Sequence, residues 1–257
     1  MNTTMRVLAM VVVLGLGAGS ACANNTESAA QPSDAAATSG LPQGSERVEL
    51  DPADFTTEID NPFWPMTPGS KWVYRETDGE GAEQRVEVTV TDKTKKVANG
   101  IEARVVRDEV TEDGVPVEVT DDWYAQDAEG NIWYLGEETT EYEDGKPVST
   151  EGSFEAGKDG AEAGIIMPAD PKPGMKYRQE YYEGEAEDRG EIVSLDEQVE
   201  VPFGKFSDVL KTKDTNPLEP DLVEYKYYAR EVGPVLAETV SGGSDREELI
   251  SYTEGRG

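Results

Sequence analysis

The sequence predicts a mainly β protein built on a curved antiparallel sheet, as a sandwich or a half-barrel. Three observations carry the prediction. Val86, Val88 and Val90 alternate with Glu87, Thr89 and Thr91, and Val115, Val117 and Val119 alternate with Pro116 and Glu118. A period of two marks a strand with one buried face. Asp-Gly pairs stand between strand-like runs at Asp78-Gly79, Asp113-Gly114 and Asp144-Gly145, and this dipeptide supplies the positive φ angles that tight hairpins demand. Helical periodicity is weak throughout. The one helical turn expected is Asp51-Pro52-Ala53-Asp54-Phe55, with Asp51 as cap and Pro52 at the first position.

The chain begins with an export signal. Arg6 is the only charge before Cys22, Val7–Leu16 is apolar, and Gly17, Ala18, Gly19, Ser20 and Ala21 are all small. That is the order of a signal peptide. Its apolar core of about ten residues is too short for a membrane span, which needs roughly 20. Residues 1–21 are therefore read as the signal. Gly19-Ser20-Ala21-Cys22 resembles the bacterial lipobox, with Gly19 where that motif usually carries Leu. The resemblance implies cleavage before Cys22, two ester-linked acyl chains on it, and a lipid-anchored position on the cell membrane or envelope. The alternative is a freely secreted protein with an incidental cysteine. Cys22 is the only cysteine, so no disulfide forms within the chain, and an odd exported cysteine needs an explanation. Acylation supplies one, at about 0.8 kcal/mol of membrane affinity per buried methylene.

Residues 22–47 read as a flexible tether, small and polar from Asn24 to Gly40, with too little apolar surface to offset chain entropy. Residues 48–257 are the folded domain. Within it, Pro68-Gly69-Ser70-Lys71-Trp72 reads like Pro173-Gly174-Met175-Lys176-Tyr177, and Val97-Ala98-Asn99-Gly100 reads like Val201-Pro202-Phe203-Gly204. Asp122-Trp123-Tyr124-Ala125 likewise reads like Lys226-Tyr227-Tyr228-Ala229. The blocks keep their order, which suggests a duplicated β unit over 68–137 and 173–240. Coincidence among common turn and strand residues is the alternative. Residues 138–172 would connect the halves, with a Pro/Gly-rich crossing at Gly164-Ile165-Ile166-Met167-Pro168.

Composition narrows function mainly by exclusion. The chain has 54 acidic and 23 basic residues, a net charge of −31, and no histidine. Loss of the signal removes Arg6 and leaves it more negative still. Phosphates would be repelled, so nucleic acid is excluded as a partner. Without histidine there is no Ser-His-Asp or Cys-His catalysis and no His-ligated metal. With Cys22 committed to lipid, no thiolate remains. Nothing implies a cofactor. The acidic excess is read as a solvated surface, including the run Asp108, Glu109, Glu112 and Asp113. Binding of cations or basic partners is the sharper alternative. Asp127, Glu129 and Asn131 are spaced as alternate calcium ligands, but the Gly and Glu of an EF-hand are out of place, so no metal site is assigned.

Aromatic residues are the candidates for a ligand surface: Trp123, Tyr124, Trp133, Tyr134, Tyr227 and Tyr228. Neighbouring strand residues point to opposite faces, so one set fills the core and the other lies exposed or under a second layer. Packing in the core is the competing account of all six.

Val201-Pro202-Phe203-Gly204-Lys205-Phe206-Ser207-Asp208-Val209-Leu210-Lys211 is similar to a V-P-x-G-x-F-x-x-V-L-K run. Tyr227-Tyr228-Ala229-Arg230-Glu231-Val232-Gly233-Pro234-Val235 is similar to Y-Y-A-x-x-V-G-x-V. The ordered pair resembles a broad group of exported bacterial lipoproteins, mostly uncharacterised, built on a curved antiparallel sheet. The resemblance implies that fold and no catalytic residues. Pro234 stands where the group more often has an aliphatic residue, which starts that strand later. From the residues themselves, Gly204 belongs to the turn of a hairpin, and Lys226 and Tyr228 share one strand face. The resulting expectation is a lipid-anchored envelope protein that serves as a non-enzymatic binding or interaction module. A cation-binding or salt-adapted surface protein and a carboxylate-dependent hydrolase are the alternatives.

Overall fold

The structure is a computed structural model that describes residues 40–79 and 81–256. Cys22 and the signal segment lie outside them. A single 3-10 turn (Pro52–Asp54) leads into β1 (Phe55–Thr56). Asp51 caps that turn through its carboxylate, which accepts from Ala53 N, as the sequence predicts. The sheet then runs through β2 (Lys71–Thr77), β3 (Glu83–Lys96), β4 (Glu102–Glu112), β5 (Val115–Asp127) and β6 (Ile132–Glu143). Three shorter strands follow, β7 (Lys146–Ser149), β8 (Phe154–Glu155) and β9 (Glu162–Met167). The last run is β10 (Lys176–Arg178), β11 (Glu180–Tyr181), β12 (Arg189–Val201), β13 (Gly204–Asn216), β14 (Glu219–Ala229), β15 (Gly233–Ser241) and β16 (Arg246–Thr253).

All pairings are antiparallel, in one sheet of order β10-β12-β13-β14-β15-β16-β2-β3-β4-β5-β6-β9-β11. The two ends of that order are neighbours in the chain. β10 pairs with β12 and β11, one residue further on, pairs with β9, so the sheet curls into a nearly closed barrel. Two of the three Asp-Gly hairpins form as expected, with φ of 51° and 79° at Asp113 and Gly114 and 51° and 71° at Asp144 and Gly145; at Asp78-Gly79 neither residue has positive φ, and the loop runs on to Glu83, with φ of 90° at Gly81. The β12–β13 hairpin turns at Pro202-Phe203 and resumes at Gly204.

Two local expectations are corrected. The stretch Gly164–Met167 is strand, within β9, not a crossing loop. Four consecutive apolar residues suit a strand buried on both sides. β15 starts at Gly233 and includes Pro234 rather than starting later. The pairing slips between Tyr227 and Tyr228, so the missing N–H of Pro234 falls at a bulge, where proline is tolerated. Its carbonyl accepts from Tyr74 Oη at 3.0 Å.

One end of the barrel is filled from outside the sheet. Residues 59–66 fold back on themselves through Met66 N donating to Ile59 O and Trp64 N to Asn61 O. Asn61 Nδ2 donates to Gly130 O and Pro168 O, which ties the segment to two loops at that end. Trp64, 3% exposed, lies between Tyr124 at 5.6 Å and Tyr228 at 5.9 Å. A Cβ on Gly233 would stand 2.9 Å from the Trp64 ring, so that glycine makes room for the plug.

The outer wall is charged. Arg107 makes two 2.8 Å bonds to Asp121, and Arg75 meets Glu248 at 2.9 Å. A barrel embedded in lipid presents an apolar band there, so this wall is not a lipid-facing surface.

Two substitutions test the closure and the plug. Gly164→Ala would place a Cβ 2.3 Å from the Gln179 carbonyl, between β9 and the β10–β11 segment. Overpacking of that kind is expected to cost about 1–3 kcal/mol. Trp64→Ala is expected to cost about 3–5 kcal/mol. Urea unfolding measures both, and a shift of less than a few tenths of a kcal/mol in either would contradict the role assigned to that residue.

Candidate functional site

The six aromatic candidates are all buried. Tyr124, Tyr134 and Tyr228 face the interior, where Tyr124 stacks on Tyr134 at 5.0 Å and Trp64 joins Tyr124 to Tyr228. Trp133 donates Nε1 to Asp127 Oδ2 at 2.7 Å and meets Phe55 edge-on. Tyr227 donates to Glu238 at 3.1 Å. Trp123 lines a groove. Asp127 spends its carboxylate within its own turn, on Asn131 N, Asn131 Nδ2 and Trp133 Nε1. Among the described residues no group of three or more acidic side chains is placed to hold a metal ion.

The acidic residues are not all on the surface, which corrects the reading from composition. Asp108, Glu118, Asp122, Glu137, Glu180, Asp188, Asp214, Glu224 and Glu247 are each less than 9% exposed. The reason is strand alternation. Asp108 sits between Val106 and Val110, all three buried, so it points inward and is not part of a solvated hairpin. Lys226 is the one buried lysine among the described residues. It pairs with Glu224 at 3.1 Å and Asp214 at 3.3 Å. Burial alone would lower its pKa, but Glu224 and Asp214 outweigh burial and hold the ammonium well above its usual range.

One lysine cannot neutralise that many carboxylates, and protons do the rest. Burial pushes Asp108, Glu137, Glu180, Asp188 and Glu247 well above the ordinary carboxyl range, and neighbouring carboxyls add to the shift. Burial moves Asp122 to about 7 and Glu118 to about 8. Geometry makes the same point independently. Tyr134 Oη lies 2.8 Å from Asp122 Oδ1 and 2.8 Å from Glu137 Oε2. A phenol has one proton to donate. Both contacts are hydrogen bonds only if one of the two carboxyls is protonated and donates to the phenol oxygen.

Beyond Tyr134, β6 leaves β9 and pairs with β8. Glu137 is opposite Phe154 there. A groove of about 310 Å³ lies at this point, lined by Trp123, Phe154, Lys95, Glu155 and Glu137 among others. Gly136 makes it possible. With φ of +130° and only 2.3 Å from a built Cβ to Phe154 O, it lets β8 approach closely. Lys95 Nζ stands 3.5 Å from the Trp123 ring centroid and 3.3 Å from Glu155 Oε2. Glu137 is 2% exposed, and its Oε1 has no hydrogen-bond partner. A second groove, of about 530 Å³, runs beneath residues 47–50 against Ala156, Gly157 and Ala163. Arg47, Glu49, Asn99 and Glu162 also line it, and none of the four is buried.

Sequence reasoning singled out Trp123 but missed Lys95, Glu137 and Glu155. Lys95 belongs to the polar end of a strand and Glu155 to a two-residue strand, and neither leaves a periodic signal. Glu137 is one acid in a chain with dozens.

The protonated interior has a measurable consequence. Carboxyls with raised folded-state pKa bind more protons folded than unfolded, so their contribution is complete below the unfolded values and is lost as pH rises through the folded ones. For Asp122 and Glu118 the window runs from 3.8 to about 7 and from 4.5 to about 8. The melting temperature at constant ionic strength is expected to fall across that window. Glu118→Gln should make the slope shallower. A melting temperature that rises from acid to neutral pH would contradict the assignment.

No protein-family model matches the sequence, and no curated protein matches it. Among solved structures, the chain is similar to a crystal structure of a "putative lipoprotein" from Parabacteroides distasonis ATCC 8503. The two are 14% identical, the match covers 74% of this chain and 98% of that one, and the TM-score is 0.41.

Proposed function

We propose that this chain is an exported bacterial protein held on the cell membrane or envelope by lipid on Cys22, and that it works there as a non-enzymatic binding module. The order of Arg6, the apolar run, five small residues and Cys22 supports the anchor. Arg75, Arg107, Asp121 and Glu248 carry charge on the outer wall, which suits an anchor placed outside the barrel. The mature chain is also strongly acidic, so anionic headgroups repel it. The tether up to residue 40 then sets the barrel off the surface.

The observation that carries the binding role is the groove beneath Lys95. It is near the lower end of the size range of small-molecule sites, and Trp123 and Phe154 line it. The site stands on two paired strands, β5 and β6, whose pairing slips between Asp122 and Tyr124, so that Trp123 stands at a bulge. Bulges of this kind re-aim a side chain.

Native purification from membranes followed by mass spectrometry tests both parts. The mature protein is expected to begin at Cys22 and to carry acyl chains, and Cys22→Ala should move it to the soluble fraction. An unmodified N-terminus beginning elsewhere would defeat the anchor. For the groove, a small molecule retained by the native protein should be lost in Glu138→Trp, which overhangs the groove from its exposed rim. Equal retention by both proteins would defeat the groove as the site.

A further inference from the structure

The seam that closes the barrel is held by few pairs. β10 gives three paired residues to β12 and β11 gives two to β9, against seven between β2 and β3. Close backbone approach replaces side-chain packing there. A Cβ on Gly164 would meet the Gln179 carbonyl at 2.3 Å, and one on Gly190 would meet the Tyr177 ring at 2.5 Å. The same segment holds the chain that precedes the barrel. Arg178 donates to Pro42 O, Gly44 O and Glu46 O, and Gln43 Nε2 donates to Lys176 O at 2.5 Å. Residues 42–46 are thus bonded to the strands that close the barrel.

Two carboxyls stand behind the seam. Glu180 is 1% exposed, and neither of its oxygens has a hydrogen-bond partner; Asp188 is 7% exposed, and its Oδ1 has none. The backbone joins them, because Gln179 N donates to Asp188 O at 2.7 Å. Most of what faces them is acidic. Glu137 on β6 and Asp122 on β5 repel a charge on Glu180, while Asp214 on β13 and Glu219 and Glu224 on β14 repel one on Asp188. Lys226 on β14 attracts both, but Glu224 and Asp214 already hold it at 3.1 and 3.3 Å. Arg178 spends its guanidinium on carbonyls. An ionised Glu180 would therefore be a buried charge without a hydrogen bond, which is far more costly than a neutral carboxyl in the same place.

We infer that the seam is a proton-held latch: when it opens, Glu180 and Asp188 reach water and release their protons, so rising pH parts Lys176–Tyr181 from β9 and β12 ahead of the rest of the barrel and carries residues 42–46 with it. The sign follows from burial, which pushes both groups well above the ordinary carboxyl range in the shut barrel. Each proton released on opening raises the opening constant about tenfold per pH unit between the group's ordinary range and its shut-barrel value. The latch is tight in acid and loosens toward alkali. Short strands open first because few bonds must break with them.

Native-state hydrogen exchange on the full mature protein in detergent tests the latch between about pH 6 and 8, with rates corrected for intrinsic amide chemistry. Amides of residues 177–182 are expected to open at least about tenfold more readily than those of β3. Their opening constant is expected to rise by a factor of about ten or more per pH unit. Glu180→Gln keeps a neutral side chain of similar size at every pH, and should lower that rise by about one factor of ten per unit. Asp188→Asn should do the same, and it carries the test if the first variant does not fold. Equal opening constants for the seam and β3 overturn the inference, because the barrel then opens only as a whole. A seam slope left unchanged by both variants overturns it as well.

Discussion

The segment from Lys176 to Tyr181 belongs to both edges of the sheet, and the rest of the structure depends on that. An open sheet would expose the backbone of β9 and β12 to other chains. Here β10 covers one and β11 the other. Arg178 fastens the junction. It is 1% exposed, donates to Ala163 O at 2.7 Å from Nη2, and donates to Gly44 O and Glu46 O from Nη1. Three carbonyls from two distant parts of the chain thus close around one guanidinium. Residues 41–47, tether by composition, are held against the barrel by the same side chain. Arg178 N also donates to Pro42 O.

Closure dictates what happens inside. Once the sheet curls round, alternate residues on every long strand share one interior, whatever their chemistry. Near the plug that interior is aromatic, with Trp64 between Tyr124 and Tyr228. Further along the strands it is carboxylic. Isolated carboxylates there would cost several kcal/mol each after relaxation, and one lysine cannot offset them. Retained protons resolve the conflict, because a neutral carboxyl is both donor and acceptor. The Asp122–Tyr134–Glu137 chain shows the principle. Its three oxygens satisfy one another only when the carboxyl pair holds a proton. The barrel's stability is therefore tied to proton activity through groups that no solvent ion readily replaces.

Much of the wall was legible in the sequence and little of its closure. Val86, Val88 and Val90 announce β3 because each alternate residue meets the core. Asp113-Gly114 and Asp144-Gly145 announce their hairpins because positive φ is a local requirement. The plug was not legible. Asn61-Pro62-Phe63-Trp64 has no periodicity, and its place is set by bonds to Gly130 and Pro168, residues remote in sequence. The edge strands β10 and β11 are three and two residues long, below any periodic signal. The buried acids were misread for a different reason. Composition counts charges but does not say which face of a strand they occupy. At Asp108 the neighbouring valines did carry that information, and the charge run around it concealed it. Trp123 stood out as an aromatic, but its partner Lys95 lies on another strand and depends on the β3–β4–β5 pairing to reach it.

The groove at Trp123 lies on β5 and β6, and the repeat suggested by the sequence offers a comparison. Taken as copies of one unit, 68–137 and 173–240 align at a shift of 104 through Tyr124 and Tyr228, the two rings that hold Trp64. On that alignment Asp122 corresponds to Lys226, Trp123 to Tyr227 and Lys95 to Val199. The inward positions would then have diverged in charge, which places the single lysine among the acids of the opposite strand. The outward positions would have diverged in use. Val199 is buried and apolar, and the ammonium near the Tyr227 ring is that of Lys211 instead, 5.3 Å from its centroid. What the second half lacks is the cover. Phe154, Glu155 and Lys158 come from the chain between β6 and β10, whereas β15 passes into β16 through Gly242–Asp245 alone. A binding groove needs both the ring and something to lean over it, and only the first half was given the additional strands that lean.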